Sequence, residues 1–348
     1  MSAKLKTAVL GATGYSGFEL TRLLLRHPRL EKPVLLGRQS DPDANSNLAD
    51  AYPTLSGNGS YPLKPFSWPS LKQQGVELLF LATPHEASRS LVPQAIAQGL
   101  RVIDLSGAWR LKQAHNRAVY KFEDADAVTA AELTEKAVYG LPELCSDQIP
   151  DAALVANPGC YATSVILALA PLLKAGVVDR ERGIISDSKS GVSGAGKEAN
   201  ARTHFVSVAD NLSAYSVFGH RHVGEMLEQL KLAADELIFT PHLLPIPRGI
   251  LSTIYAHLSR EMKPAEIESI YRDFYAGRQW VRVFATPKLP QIQFSLHTNY
   301  CDLGFCLAED GRRLVLVSCV DNLLKGAAGQ AVQNMNLMYG WNEEEGLQ

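Results

Sequence analysis

Lys6-Thr7-Ala8-Val9-Leu10-Gly11-Ala12-Thr13-Gly14-Tyr15-Ser16-Gly17 runs from a strand-like stretch at Lys6–Leu10 through a glycine-rich turn. A helix follows through Phe18–Arg26, with Leu20, Leu23 and Leu24 on one face. Glycines at such a junction allow a tight turn and let backbone amides approach a pyrophosphate. The amino terminus of the helix adds a partial positive charge. The spacing is G-x-x-G-x-x-G rather than the commoner G-x-G-x-x-G, and a strand–helix turn with no ligand can carry the same glycines. Their place at the first βα turn of an alternating pattern favours a dinucleotide. The candidate contacts there are Gly11, Thr13, Gly14, Tyr15, Ser16 and Gly17.

Outward from this turn, short apolar runs alternate with helical patterns. Pro33–Gly37, Leu78–Ala82 and Arg101–Leu105 read as strands, Ala137–Gly140 and Leu154–Ala156 as two more, and a helix covers Glu86–Gln98. Such alternation predicts a parallel sheet covered by helices. The stretch between Asp41 and Pro69 is rich in Pro, Ser, Asn and Gly and is expected to be mostly loop. After Asn157 the pattern changes. A helix at Ala162–Ala175 leads to a strand near Gly183–Lys189 and the loop Ser190–Gly196. Strand-like segments then recur at Ile238–Leu244, Ile250–Leu258, Val281–Phe284, Asn299–Leu307 and Leu314–Val320 before a final helix, Leu323–Met338. Fewer helices intervene, which predicts an α+β domain with a largely antiparallel or mixed sheet.

Bulk properties set the outer bounds. With 348 residues the chain has room for two domains, and 46% hydrophobic and 20% charged residues suit an ordinary globular protein. A formal net charge of -2 gives no electrostatic case for nucleic acid or an anionic membrane as partner. The most apolar helical stretch, Val165–Leu173, falls far short of the roughly 20 residues that span a bilayer. The first residues lack the features of a secretory or transit segment. Cys145, Cys160, Cys301, Cys306 and Cys319 are scattered and odd in number, which fits a reducing compartment. The expected location is the cytoplasm.

The second strand of a nucleotide fold identifies the cofactor. NAD sites usually end it with an acidic residue on the ribose 2′-hydroxyl. Here Leu35-Leu36-Gly37-Arg38-Gln39-Ser40 carries no carboxylate. Arg38 can pair with a 2′-phosphate and Ser40 can support it, which favours NADP(H). The alternative is an ordinary exposed arginine.

Asn157-Pro158-Gly159-Cys160-Tyr161-Ala162-Thr163 places a cysteine after Pro-Gly at a helix start. The positive end of the helix dipole favours a thiolate. A small buried core cysteine is the other reading, and the local sequence alone does not separate the two. Gly219-His220-Arg221-His222-Val223-Gly224-Glu225 supplies two histidines and a carboxylate. Either histidine could serve as acid and base for a nearby thiol, with Glu225 to orient it. His-x-His without clear further ligands does not make a metal site, and none is expected.

Gly11–Gly17, Asn157–Thr163, Ser190-Gly191-Val192-Ser193-Gly194-Ala195-Gly196, His220–Glu225 and the segment from Asp321 to Ala331 resemble the N-acetyl-gamma-glutamyl-phosphate reductase family over essentially the whole chain. More distantly the layout is similar to aspartate-semialdehyde and glyceraldehyde-3-phosphate dehydrogenases. The resemblance implies a Rossmann-type NADP-binding domain over 1–157 and 322–348, and a catalytic and oligomerisation domain over 158–321. It implies Cys160 as nucleophile, with His220 or His222 as acid/base and Glu225 beside them. It also implies Thr83, Ser106, Ser190, Gly191, Gly194 and Asn322 near the cofactor, and Arg110, Asn157, Arg221 and Arg248 on the substrate. The family usually has Ser-Ala-Asp-Phe-Arg-Leu where this chain has Ser106-Gly107-Ala108-Trp109-Arg110-Leu111. Gly224 stands for a usual Pro, and Ser164 for a usual small Ala or Gly. The implied activity is NADPH-dependent reduction of an acyl phosphate to an aldehyde through a thioester, by a homodimer or homotetramer. Two enzymatic alternatives change the acid, to aspartyl phosphate or a carrier-linked aminoadipyl phosphate. A third reading is an NADP-binding sensor without turnover.

Overall fold

The structure, a computed structural model, describes residues 4–37, 46–57 and 59–348. Arg38 and Ser40 lie outside the described residues. The chain divides into two compact units. One comprises residues up to Lys112, Tyr120–Pro158 and Ala327–Gln348; the other comprises Gln113–Val119 and Gly159–Gly326.

The first unit is built on seven parallel strands: β1 (Thr7–Leu10), β2 (Val34–Gly37), β3 (Leu63–Pro65), β4 (Leu78–Leu81), β5 (Arg101–Asp104), β6 (Val138–Tyr139) and β7 (Leu154–Ala156). Their order is β3-β2-β1-β4-β5-β7-β6. Side chains of a strand alternate between the two faces of a sheet. Val9, Leu78, Phe80, Ile103 and Val155 therefore join one buried cluster with Leu20 and Leu24 of the Tyr15–Arg26 helix and Ala331, Val332 and Met335 of the Gly329–Met338 helix. Ala8, Leu10, Leu79, Leu81, Val102 and Leu154 face the other way, onto Val92, Ala95 and Leu133. Both faces are covered, as in a doubly wound fold. The strand order reverses between β1 and β4, so the chain leaving those two strands flanks the crevice where such folds bind ligands.

The second unit carries β8 (Ile184–Gly191), β9 (Ser213–Ala214), β10 (Leu237–Leu244), β11 (Ile250–His257), β12 (Val281–Val283), β13 (Cys301–Leu307) and β14 (Arg313–Val320). They form a mixed sheet in the order β12-β13-β14-β11-β8-β10-β9. One face receives the buried Cys160–Lys174 helix, which packs on β11 and β14 and is flanked by the helices Val223–Leu230 and Pro264–Phe274. On β8 the odd positions Ile185, Asp187 and Lys189 point away from that core, and Ile185, Ile238 and Tyr255 are exposed.

Differences from the sequence reading are local. Within the Asp41–Pro69 stretch, expected to be mostly loop, the described residues include a helical turn, Leu48–Ala51, capped by Asn47, and an edge strand, Leu63–Pro65, paired with β2. The helix expected over Ala162–Ala175 begins at Cys160. The last helix starts as a π turn, Leu324–Ala328, before Gly329–Met338.

Candidate active site

In the first unit, β1 hands over to Gly11, which has φ +93, where an added Cβ would run into the carbonyl oxygen of Ala82. A Cβ on Gly17 would overlap the Gly11 carbonyl oxygen. Only glycine lets these three backbone segments approach so closely. Gly14 caps the Tyr15–Arg26 helix with no side-chain hydrogen bond and no acidic residue in the first turn. Thr13 offers its carbonyl to the Tyr52 hydroxyl at 2.8 Å, and Tyr15 and Ser16 begin the helix. Thr83, just past β4, has a buried Oγ1 with no hydrogen-bond partner among the described residues. An uncapped helix start and an orphaned hydroxyl at the switch crevice fit a bound dinucleotide.

Past β5, the Ser106 hydroxyl bonds the fully buried Asp104 carboxylate at 2.7 Å, and the Ala108 amide donates to Ser106 Oγ at 3.1 Å. Burial raises the Asp104 pKa, and the Ser106 bonds and nearby Arg110 oppose that rise. Arg110 is itself buried, with Nε on the Asn157 carbonyl at 2.7 Å and Nη2 on the Leu105 carbonyl at 2.8 Å. Asn157 is held through its side chain as well, Nδ2 donating to the Ala327 carbonyl and Oδ1 accepting from Asn334, both at 3.0 Å. The structure thus places Arg110 and Asn157 together, gripping the chain just before Pro158-Gly159-Cys160.

In the second unit, Cys160 is the first residue of a fifteen-residue helix whose cap, Gly159, contributes no side chain. The Gly159 amide instead donates to Glu225 Oε2 at 2.9 Å, and Glu225 is fully buried. The His222 imidazole lies on Gly159, where any Cβ would overlap its ring, and His222 Nε2 is 4.0 Å from Glu225 Oε1. Gly326 presses from another side: a Cβ there would lie 2.7 Å from Cys160 Cβ. The thiol is thus set among a helix amino terminus, an imidazole and a buried carboxylate.

The two histidines differ. His220 sits in an aromatic box of Tyr161, Tyr215, Phe239 and His222, with ring centroids 4.7–5.6 Å away. Its Nδ1 accepts the His222 backbone amide at 3.1 Å. Burial, with smaller contributions from His222 and Arg221 that outweigh Glu225, lowers its pKa to about 3. His220 is therefore neutral near pH 7 and serves as an acceptor that shapes the loop carrying His222.

Ser190, Gly191, Gly194, Asn322 and Arg248 also gather in this unit. Asn322 accepts the Gly249 amide at 2.7 Å and donates to Ser193 Oγ at 2.9 Å. A Cβ on Gly194 would sit 3.0 Å from Ser190 Oγ, and one on Gly191 would sit 2.5 Å from the Arg248 amide. Arg248 Nε pairs with the buried Asp321 carboxylate at 2.8 Å. Arg221 is exposed. Sequence reasoning did not single out Asp321 as the anchor of Arg248, nor the packing of Gly326 on the thiol. A glycine and an aspartate in the quoted 321–331 run were the only available signals.

Comparison with known proteins follows the same division. The semialdehyde dehydrogenase NAD binding domain matches residues 6–152, and the semialdehyde dehydrogenase dimerisation domain matches residues 160–322. N-acetyl-gamma-glutamyl-phosphate reductase of Desulfotalea psychrophila is 44% identical over 348 residues, covering 99% of this chain and 98% of the relative. Those of Geotalea daltonii and Campylobacter jejuni are 43% and 42% identical with the same coverage. The chain belongs to the N-acetyl-gamma-glutamyl-phosphate reductase family. Solved structures reach farther afield. Aspartate semialdehyde dehydrogenase II of Vibrio cholerae, complexed with ASA, has a TM-score of 0.72 at 18% identity, covering 97% of this chain and 98% of that one. The Candida albicans aspartate semialdehyde dehydrogenase with NADP has a TM-score of 0.71 at 15% identity, covering 96% and 98%. At that distance the likeness speaks for the fold alone, which is the Rossmann-type domain joined to an α+β domain that the sequence predicted. Within the family, Cys160 and the His220–Glu225 segment are the groups whose chemistry needs explaining.

Proposed function

We propose that this chain is an NADPH-dependent N-acetyl-gamma-glutamyl-phosphate reductase working through a thioester on Cys160. The observation that carries the reading is the setting of Cys160: a helix amino terminus, His222 lying on Gly159, and buried Glu225 holding the Gly159 amide. The dipole and an imidazolium at His222 both favour the thiolate. Its sulfur attacks the acyl carbon of the phosphate anhydride, the carbon–oxygen bond to phosphate breaks, and inorganic phosphate departs. When bound, NADPH supplies the hydride that reduces the thioester carbon. The resulting oxyanion re-forms a carbonyl as the carbon–sulfur bond breaks, His222 gives its proton to the departing sulfur, and the aldehyde leaves with Cys160 as a thiol that returns the proton to His222 for the next turnover. We assign this role to His222 because His220 has its Nδ1 committed to the loop and its pKa lowered to about 3. A base that weak is poorly matched to proton transfer near neutral pH. In this reading the amide of Cys160 or of a neighbour steadies the oxyanion.

The cofactor is held, in this reading, by the glycine turn and Thr83, with Ser106 behind it. Arg38 and Ser40 take the 2′-phosphate on the strength of the sequence. Ser190, Gly191, Gly194 and Asn322, the loop cluster of the second unit, are the residues that the family resemblance assigns to the cofactor. Arg221 and Arg248 are the substrate's cationic contacts. Arg110 and Asn157 act by fixing the segment before the thiol, and Arg110 remains the candidate for the phosphate as well. The half-exposed sheet face bearing Ile185, Ile238 and Tyr255 suits a second copy of this chain, in keeping with the dimerisation domain matched there. A nucleophilic thiol among five free cysteines suits the cytoplasm.

The test runs the reaction backwards. N-acetylglutamate semialdehyde should reduce NADP only when inorganic phosphate is present, because phosphate must attack the thioester to release the acyl phosphate. Phosphate-independent oxidation would make this a simple aldehyde dehydrogenase. A preference for aspartate semialdehyde would move the substrate assignment to the related acid.

A further inference from the structure

The nucleophile helix is apolar almost throughout, and Val165, Ile166, Leu167 and Leu169 are all fully buried. Amid this apolar packing lies a line of hydroxyls. Ser188, Ser252 and Ser318 stand directly opposite one another on the adjacent antiparallel strands β8, β11 and β14. Ser164, from the helix, comes down onto this row with its Oγ 2.9 Å from both Ser252 Oγ and Ser318 Oγ. Ser188 reaches Ser252 at 2.8 Å, Ser186 reaches Ser188 at 3.1 Å, and Cys301 Sγ lies 3.5 Å from Ser318 Oγ. All six side chains are wholly buried.

Ser164 Oγ is oriented to donate toward either Ser252 or Ser318, and Ser188 Oγ toward Ser252, so the one hydrogen of Ser164 serves one partner at a time within a continuous chain of hydroxyl contacts. Such chains strengthen cooperatively in a low-dielectric interior. Burying hydroxyls here gains little net stability, since apolar groups of the same shape would pack about as well. What the line adds is direction. Apolar side chains tolerate sliding and small rotations of a helix on a sheet, whereas Ser164 meets its two partners at only one position. That position is one turn past Cys160, roughly 6 Å along the axis.

We propose that the buried serine row is a register lock for the nucleophile helix, making Ser164, Ser188, Ser252 and Ser318 positioning residues for the Cys160 thiol. The lock fixes the helix so that Cys160 meets the His222–Glu225 pair and the Gly326 backbone in one arrangement. This inference rests on the reading of Cys160 as nucleophile. A displacement of the thiol by a fraction of an ångström to an ångström is enough to lower a rate by up to about 100-fold.

The experiment replaces the whole line at once, Ser164→Ala with Ser188→Ala, Ser252→Ala and Ser318→Ala, and compares it with Ser164→Ala alone in the full-length enzyme. Three quantities are read: thermal midpoint, the rate of Cys160 alkylation by iodoacetamide between pH 5 and 9, and kcat with KM. The lock predicts that the fourfold variant keeps its thermal midpoint, with alkylation near neutral pH and kcat both down about tenfold or more and KM within about twofold. A stable fourfold variant with alkylation and kcat within twofold of the parent would overturn it. If the fourfold variant does not fold, Ser164→Ala decides alone: a loss in both rates below its melting range supports the lock, and parental rates refute it. Alkylation does not depend on the reduction reaction, so failure of the reductase assignment would leave this readout intact.

Discussion

Replacing His220 with asparagine tests the division of labour between the two histidines. Asparagine puts an oxygen close to where Nδ1 accepts the His222 amide, and it cannot titrate. In the native chain the aromatic box lowers the His220 pKa to about 3, against about 6.5 in an unfolded chain. Between those values the unfolded state binds the extra proton, so native stability rises with pH through the window and is lost on acidification. Each pH unit inside the window is worth about 1.4 kcal/mol. At pH 4.5, two units below the unfolded value, the native protein has lost about 2.7 kcal/mol from this one group. His220→Asn should be less stable at pH 7, because the ring leaves a cavity, yet its stability should fall more gently on acidification. Urea unfolding at pH 7.0, 5.5 and 4.5, at fixed protein concentration, reads the two slopes. Other carboxylates titrate equally in both proteins and cancel in the comparison. Parallel curves would refute the burial of a neutral His220. A shift of the neutral-limb pKa of kcat/KM in the variant larger than that in a His222 variant would refute His222 as the proton-transfer group.

Further perturbations probe single contacts. Gly326→Ala should slow both turnover and Cys160 alkylation, since its Cβ would lie 2.7 Å from Cys160 Cβ and overpacking of this kind costs about 1–3 kcal/mol; rates equal to the parent's would show that the helix start yields freely. Glu225→Gln keeps the shape but loses the charge facing the Gly159 amide and His222. It should raise the pH midpoint of alkylation and lower kcat about tenfold, in line with the roughly 1.5–3 kcal/mol of a charged hydrogen bond. Gly17→Ala should abolish NADPH binding measured by fluorescence, because its Cβ overlaps the Gly11 carbonyl, while Cys160 alkylation by iodoacetamide persists. Tyr255→Glu with Ile238→Asp on the exposed sheet face should shift sedimentation toward the monomer; an unchanged coefficient would place the contact elsewhere.

The parallel half was readable because its strands are buried on both faces and leave near-continuous apolar runs such as Leu78–Leu81, set off by glycine turns. The edge strand Leu63–Pro65 was hidden: three residues in a Pro- and Ser-rich stretch carry no periodic signal, and pairing with β2 creates it. On β8 the alternation was present but inverted, with Ser186, Ser188 and Ser190 facing the core and Ile185 facing out. The inward hydroxyls are tolerable because Ser186 and Ser188 join the row through Ser252 and Ser190 Oγ donates to the Gly191 carbonyl. The groups proposed to react were legible as local motifs at Cys160 and His220–Glu225. Their arrangement was not. The seat of His222 on Gly159, the bond from Gly159 to Glu225 and the packing of Gly326 on Cys160 each join residues more than sixty positions apart.

The covalent step is the centre of the account, and mass spectrometry of the quenched protein addresses it most directly. Mixed with N-acetyl-gamma-glutamyl phosphate in the absence of NADPH, then acid-quenched and digested, the enzyme should carry one acyl group on the peptide containing Cys160. Stoichiometric phosphate release should accompany it, and addition of NADPH before the quench should clear the adduct. Cys160→Ser should form no thioester and release no phosphate above the uncatalysed rate. Full turnover by that variant, or an acyl group found on any of the other four cysteines in place of Cys160, would contradict the mechanism.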